Sequence, residues 1–519
     1  MRLVRPLLFL AAVLAAILLP AGSALALSYP VTSTADTDTK GTLRASIKEA
    51  NAHAGADSIP IEVTGTIKLG SALPGIGGDV TIAGPGAGSL TVARSISAPT
   101  FFGVLQFSGP PSTVSGITVR GGVAATGAGI LNTGDLTLVR VVVTGNQAST
   151  EGGMYASGGG IFSNGSLTLR ESTVSGNKAI AGDEDENIAA GGGIEAEGSL
   201  LVERSTISGN LAWAFAGIGH KSEAIGGGLA LASGIATIEE STISGNTVLA
   251  DESSQSIIAR GGGIWGSGLT IRGSTIAGNA AEIDESATFR NVAGDNLDAG
   301  GVIRDSIVAD PQGDGDSCGK SLLSSGFNLD EDGSCGFGKS TDLVSVVAGL
   351  EPLAENGGPT PTRALRADSI AIDRGNSFNY SVDQRGFPRP SDFATVSNTE
   401  GGDGSDIGAF ELQVPPPAVS SGPVLVSEQP ADRQAPNTRI VKGPARSSYE
   451  TVAKFRFAST EAQSSFQCKL DKGRWQACRN PYKRTVKPGK HVFKVRAIDR
   501  FGNVDPTPAR FGWQVKPLS

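Results

Sequence analysis

Apolar and polar residues alternate through the middle of this chain in a register that returns every 31 to 36 residues. Aligned on Ser-Gly-Asn or a close variant, five copies end at Asn146, Asn177, Asn210, Asn246 and Asn279. Apolar residues recur three, eight and ten positions before each Asn: Val143, Leu138 and Leu136; Val174, Leu169 and Leu167; Ile207, Val202 and Leu200; Ile243, Ile238 and Ala236; Ile276, Ile271 and Leu269. Gly-Gly-Gly, or Gly-Ala-Gly in the first copy, stands directly before Ile130, Ile161, Ile194, Leu229 and Ile264. Alternation such as Leu167-Thr168-Leu169 predicts short strands, and the Gly and Gly-Asn punctuation allows the bends between them. No copy is long enough to bury its own apolar face, so successive copies must stack as a solenoid. A period near 33 with three- to five-residue strands fits one coil of a parallel β-helix. The i, i+3, i+4 pattern of a helical repeat is absent, leucine-rich repeats lack their helical half, and a propeller blade needs four longer strands. On this reading the recurring Asn forms an amide ladder, and Ser-Thr pairs such as Ser172-Thr173 and Ser205-Thr206 form similar ones. Residues from about Ile61 to Glu411 would make roughly ten coils, a rod on the order of 50 Å long.

An open solenoid end exposes strand edges and needs a cover. Thr42 can N-cap a helix in which Leu43, Ile47 and Ala50 share one face, the candidate lid within a cap segment at 27–60. Ahead of it, Arg2 and Arg5, the apolar run Leu7 to Leu19 and Ala24-Leu25-Ala26 read as a secretory signal over residues 1–26. The apolar run is too short to span a bilayer, so the mature chain is expected outside the cell with no transmembrane anchor. An oxidising compartment makes disulfides the natural state of the four cysteines. Of three possible pairings, Cys318 with Cys335 and Cys468 with Cys478 is preferred, because each closes a short loop within one segment.

Composition narrows the class further. With 72 Gly in 519 residues but no three-residue period, collagen is excluded, and 39% hydrophobic residues exclude wholesale disorder. The net charge of -8 hides an asymmetry: residues 436–519 carry 18 Lys and Arg against 5 Asp and Glu, so everything before them is strongly acidic. Pro415-Pro416-Pro417 opens a linker at 413–434 between the two parts. In the basic part, 435–519, Phe466 to Leu470 and Trp475 to Cys478 flank Asp471-Lys472-Gly473-Arg474 as a hairpin in a small β-sandwich.

Several ordered motifs carry resemblances. Thr42 to Asn51 followed by Gly55-Ala56-Asp57-Ser58-Ile59 resembles the N-terminal CSLREA-type segment of secreted bacterial β-helix proteins, with Gly41 where that family has cysteine. Asn356 to Thr360, Ser369 to Asp373, Asp383 to Gly386 and Asp406 to Glu411 look like the choice-of-anchor Q domain, placed at about 351–412. The Gly-Gly-Gly-Ile and Ser-Gly-Asn pattern is similar to polymorphic outer-membrane-protein repeats, and the basic part resembles an immunoglobulin-like or fibronectin-III-like module. The resemblances imply an all-β chain: a right-handed, pectate-lyase-like parallel β-helix over 61–412, with an N-terminal capping helix and a small C-terminal β-sandwich.

The chemistry is sparser. Catalysis on a β-helix needs convergent carboxylates, and the candidates Asp183 to Glu186, Asp251-Glu252, Glu282 with Asp284-Glu285, and Asp330-Glu331-Asp332 read first as solvated acidic loops. Asp310, Asp314, Asp316, Asp330 and Asp332 surround the Cys318 to Cys335 loop and offer hard oxygen ligands, which makes calcium the candidate ion; no organic cofactor is expected. In each Gly-Gly-Gly-Ile strand the residue after the apolar one points away from the core, so Leu131, Phe162, Glu195, Ala230 and Trp265 should form an outward stripe. Trp213 and Phe215, read as loop residues, could approach the same side, giving Phe162, Trp213, Phe215 and Trp265 as candidate sugar-stacking aromatics. The basic part would attract an anionic wall polymer or acidic polysaccharide, and secretion argues against nucleic acid. The reading reached is an extracellular binding or adhesive β-helix; a polysaccharide lyase or glycoside hydrolase and a purely structural rod are the alternatives.

Overall fold

In the computed structural model the repeat register becomes atomic register. It describes residues 25–149, 154–182, 186–216, 220–251, 256–283, 289–413, 435–449, 451–460, 464–478, 482–498 and 503–517; the expected signal segment but for its last residues, the expected linker after Gln413 and part of the acidic segments lie outside them. Leu136, Leu167, Leu200, Ala236 and Leu269 stand side by side on successive parallel strands, as do Leu138, Leu169, Val202, Ile238 and Ile271. Val143, Val174, Ile207, Ile243 and Ile276 form a third column. All fifteen are 0–3% exposed. One coil runs through Ile194–Ala196 and Ser199–Glu203 in a fifteen-stranded sheet, then Thr206–Ser208 in an eleven-stranded sheet. The chain is a parallel β-solenoid, nearly all β, and among the described residues no helix is long and apolar enough to cross a membrane.

The corners are closed by ladders. Asn146, Asn177, Asn210, Asn246 and Asn279 each donate a side-chain amide to the next Asn at 2.9–3.0 Å, and the ladder continues to Asn296. Their backbone N–H groups donate to the same oxygens, so a buried polar corner is fully paired. Ser172, Ser205, Ser241, Ser274 and Ser306 form the second ladder, each hydroxyl accepting from the preceding Ser or Val141 backbone N–H. The Gly triplets have a steric cause: a Cβ on Gly193 would come 2.6 Å from the Gly228 carbonyl oxygen and 2.9 Å from Asn210 Nδ2. Thr42 caps the helix Leu43–Ala52, which buries Leu43, Ile47 and Ala50 in the solenoid's core at its N-terminal end.

Between each Asn and the next Gly triplet the sequence suggests a loop. Instead Leu211–Phe215 and Lys221–Ile225, with their counterparts, form a six-stranded and a five-stranded parallel sheet. These pack back to back as a fin, and Trp213 and Phe215 lie on a strand rather than in a loop. The reason is a second alternation hidden in small residues. Ala179, Ala181, Ala212, Ala214, Val248 and Ala250 from one sheet meet Ala189, Ala224, Ile257 and Ala259 from the other at 0% exposure. Facing strands bring Cα atoms within 8 Å, nearer than the ~10 Å usual for packed sheets.

The eleven-stranded sheet ends at Leu343–Val344, short of Glu411. Residues 350–412 turn back as a strap over that sheet's outer Thr column: Gln384 bonds Thr206 and Thr242, and Ala409 N–H donates to Thr275. The motifs at 356–360, 383–386 and 406–411 interlock, with Arg385 paired to Asp383 at 2.7 Å, bonded to Asn356 and Glu411 carbonyls, and stacked on Phe410. Cys318–Cys335 and Cys468–Cys478 are both formed. Residues 435–517 make a small β-sheet region of three and five strands around Phe455, Phe457, Phe493 and Trp513, with the expected hairpin pairing Phe466 to Cys478.

Truncating Leu169 or Ile207 to Ala should cost about 2 to 5 kcal/mol. Ala224→Leu, which wedges a larger side chain between the fin sheets, should cost about 1 to 3 kcal/mol. Urea unfolding midpoints check both. If Ala224→Leu is neutral, the fin does not depend on alanine contacts.

Candidate functional site

The outward stripe exists in register: Leu131, Phe162, Glu195, Ala230 and Trp265 are successive strand partners, and Asp298 extends it. It is not a free surface. The five-stranded fin sheet stands beside it, and the line between the two, called the groove below, is closed at Glu195, Ala230 and Asp298, which are 0–2% exposed, and partly open at half-buried Leu131, Phe162 and Trp265. Trp265 packs on Ala190, Ile225 and Ala230, and its indole N–H is buried without a partner. Trp213 and Phe215, whose rings lie 5.0 Å apart and tilted by 42°, cannot join it. Ala212 and Ala214 point into the fin, so Trp213 projects from the face of the six-stranded sheet, opposite to the groove. Phe162 stays on the groove side; the four aromatics therefore divide between two surfaces.

One end of the groove is acidic. The Tyr155 hydroxyl donates to Glu195 Oε1 at 2.5 Å, and Glu195 is 0% exposed with Oε2 unpartnered. Burial raises the Glu195 pKa, against opposing contributions from Ser157 and Tyr155, while neighbouring Glu197 adds to the rise. The Ser157 hydroxyl biases the carboxyl without completing a hydrogen bond. Burial and the Glu195 charge together hold the Tyr155 phenol protonated. Glu223 stands near Tyr155 and pairs with Lys221 at 2.9 Å. The other end is basic at its rim: buried Asp298 has Arg260 at 4.0 Å and Lys320 at 3.8 Å, with Arg260 Nε unpartnered. The sequence names Glu195 only as a stripe position and Trp265 as both a stripe position and a candidate sugar-stacking aromatic. It misses Tyr155, Glu223 and Arg260, whose approach depends on the fin, and Lys320, which the parallel bridge of Leu297 to Cys318 brings beside Asp298.

The five aspartates offered for calcium do not form a shared ligand sphere. Asp310 pairs with Arg363 at 2.9 Å, and Asp314 pairs with Lys454. Asp330 accepts from the Gly333 and Cys335 N–H groups, and Asp332 from those of Ser317 and Ser334, while Asp316 is exposed. Among the described residues no three carboxylate, imidazole or thiol groups converge on a metal position. Asp183, Glu184, Asp185, Glu252, Asp284 and Glu285 lie outside the described residues.

Among the described residues a dense buried charge cluster lies elsewhere, closed to solvent. Arg389, from the strap, is 0% exposed in its side chain and reaches Glu240 at 2.8 Å, Asp305 at 3.2 Å and Glu411 at 3.3 Å, with Gly408 and Asp406 carbonyls as further acceptors. Burial pushes Glu240 from 4.5 up to about 7, and Arg389 only partly reverses it. Asp305, Asp406 and Glu411 are raised for the same first reason, burial. This arrangement fastens the strap and leaves no room for a ligand.

No protein-family model and no curated protein matches this sequence. Among solved structures, the Azotobacter vinelandii mannuronan C-5 epimerase AlgE6 A-module aligns at 14% identity and a TM-score of 0.25, covering 55% of this chain and 93% of that one.

The strap cluster generates a pH prediction. The folded carboxyls hold protons that the unfolded chain has given up, so stability is full below about pH 4.5 and falls as pH rises toward about 7 and beyond. The groups concerned are Glu240, Asp305, Asp406 and Glu411 around Arg389, with Glu239, Asp373 and Asp383 adding negative potential. Hydrogen exchange of residues 383–411, corrected for intrinsic rates, should quicken between pH 5 and 8 more than that of the solenoid core. Glu240→Gln should flatten the dependence.

Proposed function

We propose that this chain is a secreted or surface-held polysaccharide-binding protein whose ligand lies along the groove between the fin and the fifteen-stranded sheet. The observation that carries the reading is Trp265, seated on Ala190, Ile225 and Ala230, with the Tyr155–Glu195 pair toward one side and Arg260, Asp298 and Lys320 toward the other. An aromatic floor with a few fixed polar groups is the composition of a small-molecule or sugar site. Groups one coil apart recur at ~4.8 Å, a spacing on the scale of a pyranose ring, which suits a linear polymer laid along the solenoid axis. Membership of the CSLREA and choice-of-anchor Q families, an immunoglobulin-like nature of the C-terminal part, and export by residues 1–26 belong to the same proposal. Two disulfides and the lack of a spanning helix among the described residues are compatible with an extracellular setting.

One observation favours a catalytic alternative. A phenol hydroxyl bonded to a buried carboxylate at 2.5 Å is an acid–base pair in reach of the groove. If it acts on a glycan, the protein should release reducing or unsaturated ends from a polysaccharide panel, and Tyr155→Phe and Glu195→Gln should both stop the release while retention persists. If the panel yields no ends, the pair is structural.

Affinity electrophoresis against the same panel tests binding. Trp265→Ala should weaken retention at least tenfold, about 1.4 kcal/mol, with unchanged far-ultraviolet circular dichroism. Trp213→Ala, on the opposite face, should leave retention within about twofold. Failure of every polysaccharide to retain the unmutated protein would remove the groove reading.

A further inference from the structure

The C-terminal part meets the solenoid through charge. Lys454 donates to Asp314 and to the Gly313 carbonyl, and Arg456 to Glu282 and the Gln312 carbonyl. Both bases project from the outer face of the three-stranded sheet, because Ala453, Phe455 and Phe457 alternate into its core. Lys442 is the strand partner of Arg456, so a cationic row faces Asp251 and Glu282 of the six-stranded fin sheet and Asp314 of the segment bonded to its edge. The fit is incomplete. A cleft of about 740 Å³ remains between them, lined by Leu249, Asp251 and Glu282 on one side and Lys442, Tyr449 and Val452 on the other. The ion pairs are partly exposed, with side chains 20–31% accessible, so salt screens them and each contributes little.

We propose that the Lys442–Lys454–Arg456 face is a polyanion-binding surface that, in the free protein, is docked on the fin's own carboxylates, so that capturing a polyanion and releasing the module are one event. A polyuronate presents many carboxylates on one chain, whereas the fin offers few, so multivalency favours the polymer once both compete for the same cations. Ligand and fin carboxylates are then thermodynamically linked: whatever weakens docking strengthens polyanion binding. Release also uncovers the six-stranded face next to Trp213 and Phe215, since Leu249 and Asp251 are their strand partners. The proposal does not depend on the groove around Trp265.

Small-angle scattering and polygalacturonate affinity on the mature full chain test it. At low salt the radius of gyration should be small, and it should rise on adding polygalacturonate or about 0.5 M NaCl, but not on adding neutral dextran. Glu282→Gln with Asp314→Asn should open the chain at low salt and strengthen polygalacturonate binding several-fold. Lys454→Glu with Arg456→Glu should also open it but weaken that binding at least tenfold. Adding Glu282→Lys and Asp314→Lys to the latter should restore the closed form without restoring binding. Unchanged polygalacturonate affinity in the Glu282→Gln, Asp314→Asn variant, or a radius of gyration indifferent to salt, polymer and charge reversal, would overturn the proposal. Trp265→Ala should leave every one of these readings intact, which separates this outcome from that of the groove.

Discussion

A single coil of this protein cannot bury its own apolar row, and every other feature of the structure follows from stacking one coil on the next. Three columns, headed by Leu136, Leu138 and Val143, fill the interior at 0–3% exposure, and parallel pairing fixes their register residue by residue. A slip of one residue would turn each column outward. The Asn and Ser ladders resist that slip, because each amide or hydroxyl has its partner only when its own coil and the next are aligned. Gly193 and its equivalents yield the space those amides occupy. Apolar burial thus drives stacking, and the buried polar corners select the register.

The fin uses the same register with a different filling. Alanine between its sheets contributes little burial per residue, yet it lets two sheets close on each other without widening the coil. A thin fin has two usable faces a short distance apart. One, with the fifteen-stranded sheet, makes the groove of Tyr155, Glu195 and Trp265. The other presents Trp213 and the acids that meet Lys454 and Arg456. The opposite charges of the acidic solenoid and the basic C-terminal region therefore meet on this face.

What could be read from the chain divides along the same physical line. Columns, ladders, the Thr42 cap, both disulfides and the 466–478 hairpin are local or strictly periodic, and a period can be counted. Asn296 escaped because it arrives early in its coil, only 17 residues after Asn279. The fin escaped because Ala-x-Ala carries too weak a hydrophobic contrast to announce a buried face, although the alternation in Leu211 to Phe215 is regular. That also misplaced Trp213: on a loop it could go either way, whereas on a strand its neighbours Ala212 and Ala214 decide its side. Contacts between distant segments, such as Arg389 with Glu240, leave no mark in spacing at all.

Arg389 nevertheless has a cause that the coils supply. At one corner, Arg140, Glu171, Arg204, Glu240, Gly273 and Asp305 occupy successive coils with φ between +44° and +53°, and their charges alternate until Gly273. Arg140 pairs with Glu171 at 2.7 Å and Arg204 with Glu171 at 3.2 Å. Where the next cation should stand there is only glycine, and a Cβ there would come 2.0 Å from Glu240. Arg389 enters that gap and serves Glu240 and Asp305 together. A missing side chain in the solenoid thereby specifies where the strap must lie, over the eleven-stranded sheet. The strap lies on that sheet and the C-terminal region meets the six-stranded fin sheet, whereas on the flank beside the five-stranded fin sheet Tyr155 and Lys320 keep 41% and 51% of their accessible surface.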